Sequence, residues 1–128
     1  VRVLLDTHAL LWWVIADERL SKTASSAITA INTEVLVSAV SAWETTTKVR
    51  LGKLPGAELF AAEFSRTVKR LGFRQLAITV DHGQRAGFLP GHHKDPFDRI
   101  LIAQSLAENI PLISNEKLFD DYGIQRIW

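Results

Sequence analysis

The chain has 128 residues, 47% apolar and 23% charged, with a formal net charge of +1. That is enough apolar side chain for one packed core, and too balanced a composition for a disordered segment. The absence of cysteine excludes a disulfide framework and a thiolate metal site. The longest apolar run, Ala9 to Ala16, is too short to cross a bilayer, and Asp6 and His8 stand ahead of it where a secretion signal would carry basic residues. A reducing, cytoplasmic setting without membrane contact is expected. The sequence opens on Val1 and holds no methionine, so an initiator residue is expected to precede it.

Taken in chain order, short apolar runs alternate with helical periodicity. Val3-Leu4-Leu5 predicts a strand ended by Asp6. Thr7 or Asp6 can cap the next helix, which carries Leu10, Leu11, Val14 and Ile15. Ser21 is a candidate cap for a second helix, and Val35-Leu36-Val37 predicts a second strand. A helix is expected from Ser38 to Arg50, stopped by Gly52. Leu59, Phe60, Phe64 and Val68 share one face of another, closed by Gly72. Leu76-Ala77-Ile78 predicts a third strand, followed by a short helix to about Leu89 and a break at Pro90-Gly91. A long helix is expected from near Asp95 to near Asn109, then strands at Leu112-Ile113 and Arg126-Ile127-Trp128.

Short continuous apolar strands separated by helices imply a parallel sheet buried on both faces. The predicted fold is α/β, three-layered, with residues 1–128 forming one domain. Ligands in such folds bind at the carboxyl ends of the strands, near the switch in strand order.

Several acids stand where that rule points. Asp6 and Glu116 each follow an apolar strand, and Asp98 lies in the first turn of the long helix. Glu44 lies on a helix of small and apolar residues. Each also has a plain structural reading. Asp6 and Glu116 fit helix starts, and Glu44 fits an i,i+4 pair with Lys48. Asp95 with Pro96 is a good helix start, whereas Asp98 is too short to close a capping box. Acids gathered at one sheet edge repel one another, and a hard cation relieves that repulsion. Oxygen donors without cysteine favour Mg²⁺ or Mn²⁺ over zinc.

Charge is uneven. Residues 1–44 and 75–128 each carry a net of −2, and residues 45–74 carry +5. Lys48, Arg50, Lys53, Lys94 and Arg99 are candidate phosphate contacts. His92 and His93 are expected to be solvated loop residues. No glycine-rich phosphate loop or nucleophile elbow is present.

Four stretches, in this order, resemble PIN-domain ribonucleases of the VapC toxin type. They are LLDTHALLWW (4–13), SAWETTTKVRLGKL (41–54), LPGHHKDPFDRILIAQSL (89–106) and LISNEKLFDDYGI (112–124). The resemblance implies a five-stranded parallel sheet of order 3-2-1-4-5 and metal-dependent RNA cleavage with Mg²⁺ or Mn²⁺. Carried over by motif, the catalytic acids are Asp6, Glu44, Asp98 and Glu116, with Asp6, Asp98 and Glu116 as metal ligands. Thr7 and Ser114 match the family's small hydroxyl residues beside the site, and Asp95 is held as a supporting acid. A VapB-type antitoxin and a homodimer are the implied partners, the dimer prompted here by an exposed-looking Trp12-Trp13 pair.

The chain departs from the family pattern at Ser114-Asn115-Glu116, where Thr-x-Asp is usual, and at Thr45-Thr46-Thr47, where apolar residues are usual. Asp120 and Asp121, a turn beyond Glu116, are candidate substitutes. Two rivals follow: a PIN-like module that binds RNA or protein without cutting, and a receiver or phosphatase using Asp6 as nucleophile.

Overall fold

A computed structural model describes all of residues 1–128. Its centre is one parallel sheet of β1 (Arg2–Leu5), β2 (Glu34–Ser38), β3 (Arg74–Leu76), β4 (Leu112–Ile113) and β5 (Arg126–Ile127). The strands lie in the order β3-β2-β1-β4-β5, so β1 and β4 are neighbours at the switch point. Register pairs Leu5 with Val37 on one side and with Ile113 on the other. Successive side chains of a strand face opposite ways, and the core divides accordingly. Val3, Leu5, Val35, Val37 and Ile113 pack with Leu10, Ile28, Phe64 and Val68 on one face. Leu4, Leu36 and Leu112 pack with Val40, Leu101, Ile102 and Phe119 on the other.

The helices are α1 (Thr7–Val14), α2 (Lys22–Thr29), α3 (Ala39–Arg50), α4 (Glu58–Ala62), α5 (Phe64–Arg70), α6 (Val80–Phe88) and α7 (Pro96–Glu108). A 3-10 turn covers Lys117–Tyr122. Capping chemistry sets several of these starts. Ser21 and Ser38 accept N–H bonds from Ala24 and Val40. Asp6 caps α1 by accepting from Ala9, and Thr7 is already helical. Asp95 accepts from Phe97 and Asp98, with Pro96 at the first helical position. No helix is long and apolar enough to cross a membrane.

Three expectations need correction. The helix expected to carry Leu59 through Val68 is broken at Glu63 (φ −106°, ψ 20°), which leaves Leu59 facing solvent while Phe64 and Val68 stay in the core. The third strand lies at Arg74–Leu76, because its pairing with Leu36–Ser38 ends there and Thr79 is needed to cap α6. The Trp12-Trp13 pair is not an exposed patch. Trp12 is buried against Trp128 and His8 with Arg19 over its ring, and Trp13 is half-buried against Phe73. The exposed tryptophan is Trp43, which meets Phe97 edge-on at 4.7 Å.

Candidate active site

The backbone N–H of Asp6 donates to the Ile113 carbonyl, which places the first acid beside β4 at the switch point. Its Oδ1 accepts the Ala9 N–H at 2.7 Å, and the residue is only 6% exposed. Burial pushes the Asp6 carboxyl from its ordinary 3.8 up to about 6, and the charges of Glu44 and Glu116 push the same way. The Ser114 hydroxyl and the Ala9 N–H pull in the other direction. Ser114, fully buried, also accepts the Glu116 N–H at 3.0 Å, so it ties the end of β4 to the acid that follows.

Glu44 reaches the site from the second turn of α3 and is 3% exposed. The i,i+4 pair with Lys48 does form, but on the Glu44 side it is buried. Lys48 engages Oε2, while Oε1 is buried with no hydrogen-bond partner. An uncompensated buried carboxylate oxygen is costly and calls for a cation or donor. Thr7 donates to Ser41 at 3.0 Å, which pins the start of α1 to α3.

Asp98 enters from the first turn of α7. Its carboxyl is also raised to about 6, first by burial and then by the charges of Asp95 and Glu44. His93 opposes this, with Nε2 at 2.8 Å from Asp98 Oδ2. His93 was expected in solvent, and the expectation fails because the loop before α7 folds back on the helix. The Tyr122 hydroxyl accepts the His93 N–H, and Phe119 packs edge-on to its ring. The available signal was the Pro90-Gly91 turn just ahead of HHKD.

Glu116 stands past β4, exposed, and accepts the Leu118 N–H at 3.3 Å as the cap of the 3-10 turn. Of its two candidate substitutes, Asp120 is taken up by Arg126 at 2.8 Å, which lowers its pKa. Asp121 makes no hydrogen bond or ion pair. The four acids are linked through their charges, Glu116 to Asp6 and Glu44 to both Asp6 and Asp98. No three acidic or histidine side chains converge on one point as ligands of a single ion.

The basic residues divide. Lys48 is at the site, on Glu44. Arg50, the last residue of α3, and Lys53 just past it are exposed, on the order of 9 Å or more along the axis from Glu44. Lys94 is exposed beside Asp95. The Arg99 guanidinium donates to the carbonyls of Ala86, Gly87, Leu89 and His93. Its donors therefore hold the α6–α7 loop in place.

The arrangement has close counterparts in backbone shape. VapBC2 from Rickettsia felis, bound to a DNA fragment from its promoter, matches with TM-score 0.71 at 15% identity, covering 98% of this chain and 97% of that one. VapC20 from Mycobacterium tuberculosis, a sarcin–ricin loop cleaving toxin, matches with TM-score 0.69 at 17% identity, covering 95% of each chain. A toxin–antitoxin complex from Klebsiella pneumoniae matches with TM-score 0.62 at 22% identity, covering 89% of this chain and 86% of that one. At such identities these likenesses concern the fold. No curated sequence relative matches the chain. The PIN domain family model, however, spans residues 3–125, and with the sheet order and the acids at its switch point it settles the matter: the chain belongs to the PIN-domain family.

Proposed function

We propose that this PIN domain is a divalent-metal-dependent ribonuclease, the toxin of a toxin–antitoxin pair. The observation that carries the reading is the pair Asp6 and Glu116 past the neighbouring strands β1 and β4, with Glu44 of α3 bearing by charge on Asp6 and on Asp98 of α7. Two of the four carboxyls are raised to about 6 and one has an unpartnered buried oxygen. Similarity to a toxin that cleaves the sarcin–ricin loop and to toxin–antitoxin complexes supports it.

The donors fit a hard ion in kind, being carboxylate oxygens with one orphaned atom, Glu44 Oε1. Mg²⁺ is commonly held by one or two carboxylates, with water and substrate phosphate completing the shell, so a three-acid cage is not needed. Asp6, Asp98 and Glu116 are the residues that would hold it, with Glu44 among them. When bound, such an ion activates water and neutralises charge on a scissile phosphate.

The chain's own groups do the rest. The Asp6 carboxyl, raised to about 6 by burial, is the kind of group whose charged form a neighbouring cation would restore, which suits it to hold the ion. Ser114 and the Ala9 N–H keep its carboxylate oriented. His93 Nε2 holds Asp98 in one rotamer. Lys48 balances Glu44 and is the one candidate phosphate contact paired with an acid of the site. Lys94 stands exposed beside Asp95, and Arg50 and Lys53 would steer RNA from a distance.

The test is cleavage of total RNA by the purified chain with MnCl₂, with EDTA, and in Asp98→Asn. Cleavage is expected only in the first, and Asp98→Asn cutting at the wild-type rate would sink the assignment. The second reading, a PIN module that docks RNA or protein without cutting, is favoured by Lys48 and His93 already occupying two of the acids. It predicts RNA binding that MnCl₂ leaves unchanged and no cleavage under any condition.

A further inference from the structure

Three sizeable hollows open on the surface, one of them, of about 420 Å³, beside Trp12 and Trp13. A second, of about 460 Å³ between α3, α5 and the β2–β3 edge, is lined by alanines and has no charged group. The third, of about 600 Å³, lies between the α6–α7 loop, α7 and the 3-10 turn. That size falls in the roughly 300–1,000 Å³ range of small-ligand sites. Its walls combine apolar Leu89, Leu106 and Leu118 with the Tyr122 ring, the His92 imidazole and one carboxylate, Asp121. Flat faces and a single polar anchor suit a heteroaromatic ring better than an aliphatic side chain.

None of the four acids lines the hollow, but one residue joins it to them. His93 lines it and also holds Asp98 at 2.8 Å. The loop that forms one wall is shaped by Gly91, at φ 96°, where a Cβ would stand 2.8 Å from the Tyr122 hydroxyl. Asp121 makes no hydrogen bond within the chain, so both its oxygens are available as acceptors.

We propose that this hollow receives one nucleobase of the RNA strand, next to the phosphate to be cut, and selects a base that carries an amino edge. The proposal rests on the ribonuclease reading above. Guanine fits foremost, since its ring N–H and exocyclic amine lie side by side and match the two oxygens of Asp121. Uracil fits worst, because its one ring N–H is flanked by two carbonyls that the carboxylate repels. Tyr122, His92 and Leu118 supply stacking and apolar contact.

The experiment titrates the full ¹⁵N-labelled chain, without divalent ion, with guanosine, adenosine, cytidine and uridine 5′-monophosphates. Amide shifts are followed at Gly91, His92, Leu118 and Tyr122. Guanosine monophosphate should move these amides and bind about tenfold tighter than uridine monophosphate. Asp121→Asn should erase that preference, and Leu118→Trp, at a half-exposed wall position, should fill the hollow and abolish binding of all four. The absence of pocket shifts with any of the four overturns the proposal. So does a base preference unchanged in Asp121→Asn. Shifts that appear only on raising protein concentration mark the hollow as a contact between two copies and also overturn it. Binding to the hollow without RNA cleavage by wild type would leave the base site standing and remove the nuclease reading. Cleavage without binding would do the reverse.

Discussion

Replacing Asp6 by asparagine should make the protein more stable while silencing it. Folding takes this carboxylate out of water, and the neighbouring acids add to the penalty. A rise from 3.8 to about 6, at about 1.36 kcal/mol per pH unit, corresponds to about 3 kcal/mol against the charged form. The sign follows from proton linkage. The folded state holds this proton more tightly than the unfolded state. Below about pH 4 both states are protonated and the cost is absent. It grows as pH rises towards about 6, and above that it is fully present. Asparagine carries no charge, still accepts the Ala9 N–H and is an equally good helix cap. Thermal and urea unfolding of wild type and Asp6→Asn without divalent ion should coincide near pH 4. They should diverge to about 3 kcal/mol by pH 7.5, or on the order of 10 °C in Tm. MnCl₂ should then raise the Tm of the wild type and not of the variant. A variant equal to or less stable than wild type at pH 7.5, or a difference that does not change between pH 4 and 7, would refute the reasoning.

Other substitutions separate neighbouring roles. Lys48→Met leaves the buried Glu44 carboxylate without its partner and should cost about 2–3 kcal/mol at pH 7.5 in urea unfolding. MnCl₂ should recover more stability in that variant than in wild type, and equal recovery would count against a cation role at Glu44. Arg99→Lys cannot serve four carbonyls with one ammonium, so about 2 kcal/mol should be lost and limited proteolysis should open the segment from Leu89 to Asp95. Asp95→Ala removes a helix cap and one of the charges that raise Asp98, so about 1 kcal/mol should go while RNA cleavage stays within a few-fold of wild type.

What could be read from the sequence was mostly local. Ser21, Ser38, Asp95 and Pro96 announce helix starts because capping needs only the next three residues. The apolar runs at Val3–Leu5, Val35–Val37 and Leu112–Ile113 announce strands because both faces of a central parallel sheet are covered. The four acids stood out by their places after strands and on helices, whereas the sheet order and their division into roles came from the family resemblance. What stayed hidden depends on contacts distant in the chain. For Glu44 the sequence left a surface pair with Lys48 and a site acid both open, and only the packing of α3 against α7 and α1 buries it. His93 looked like a solvated loop residue, because its partner depends on how Gly91 and Tyr122 turn the loop. The run at Leu10 to Ile15 is apolar on all sides, so no periodicity could tell that Trp12 packs inward against the distant Trp128. Glu63 lies in a sequence with ordinary helix formers on both sides, and the break there has no local cause that we can identify.

Two of the four acids are already matched inside the chain, Glu44 by Lys48 and Asp98 by His93. Part of the repulsion among the acids is thereby offset before any divalent ion arrives. Assembly of the fold and arming of the site become separate events, unlike in domains that stay unfolded until a metal binds. Chelation should accordingly leave a folded, silent protein that regains activity on adding metal, with no refolding step between the two states.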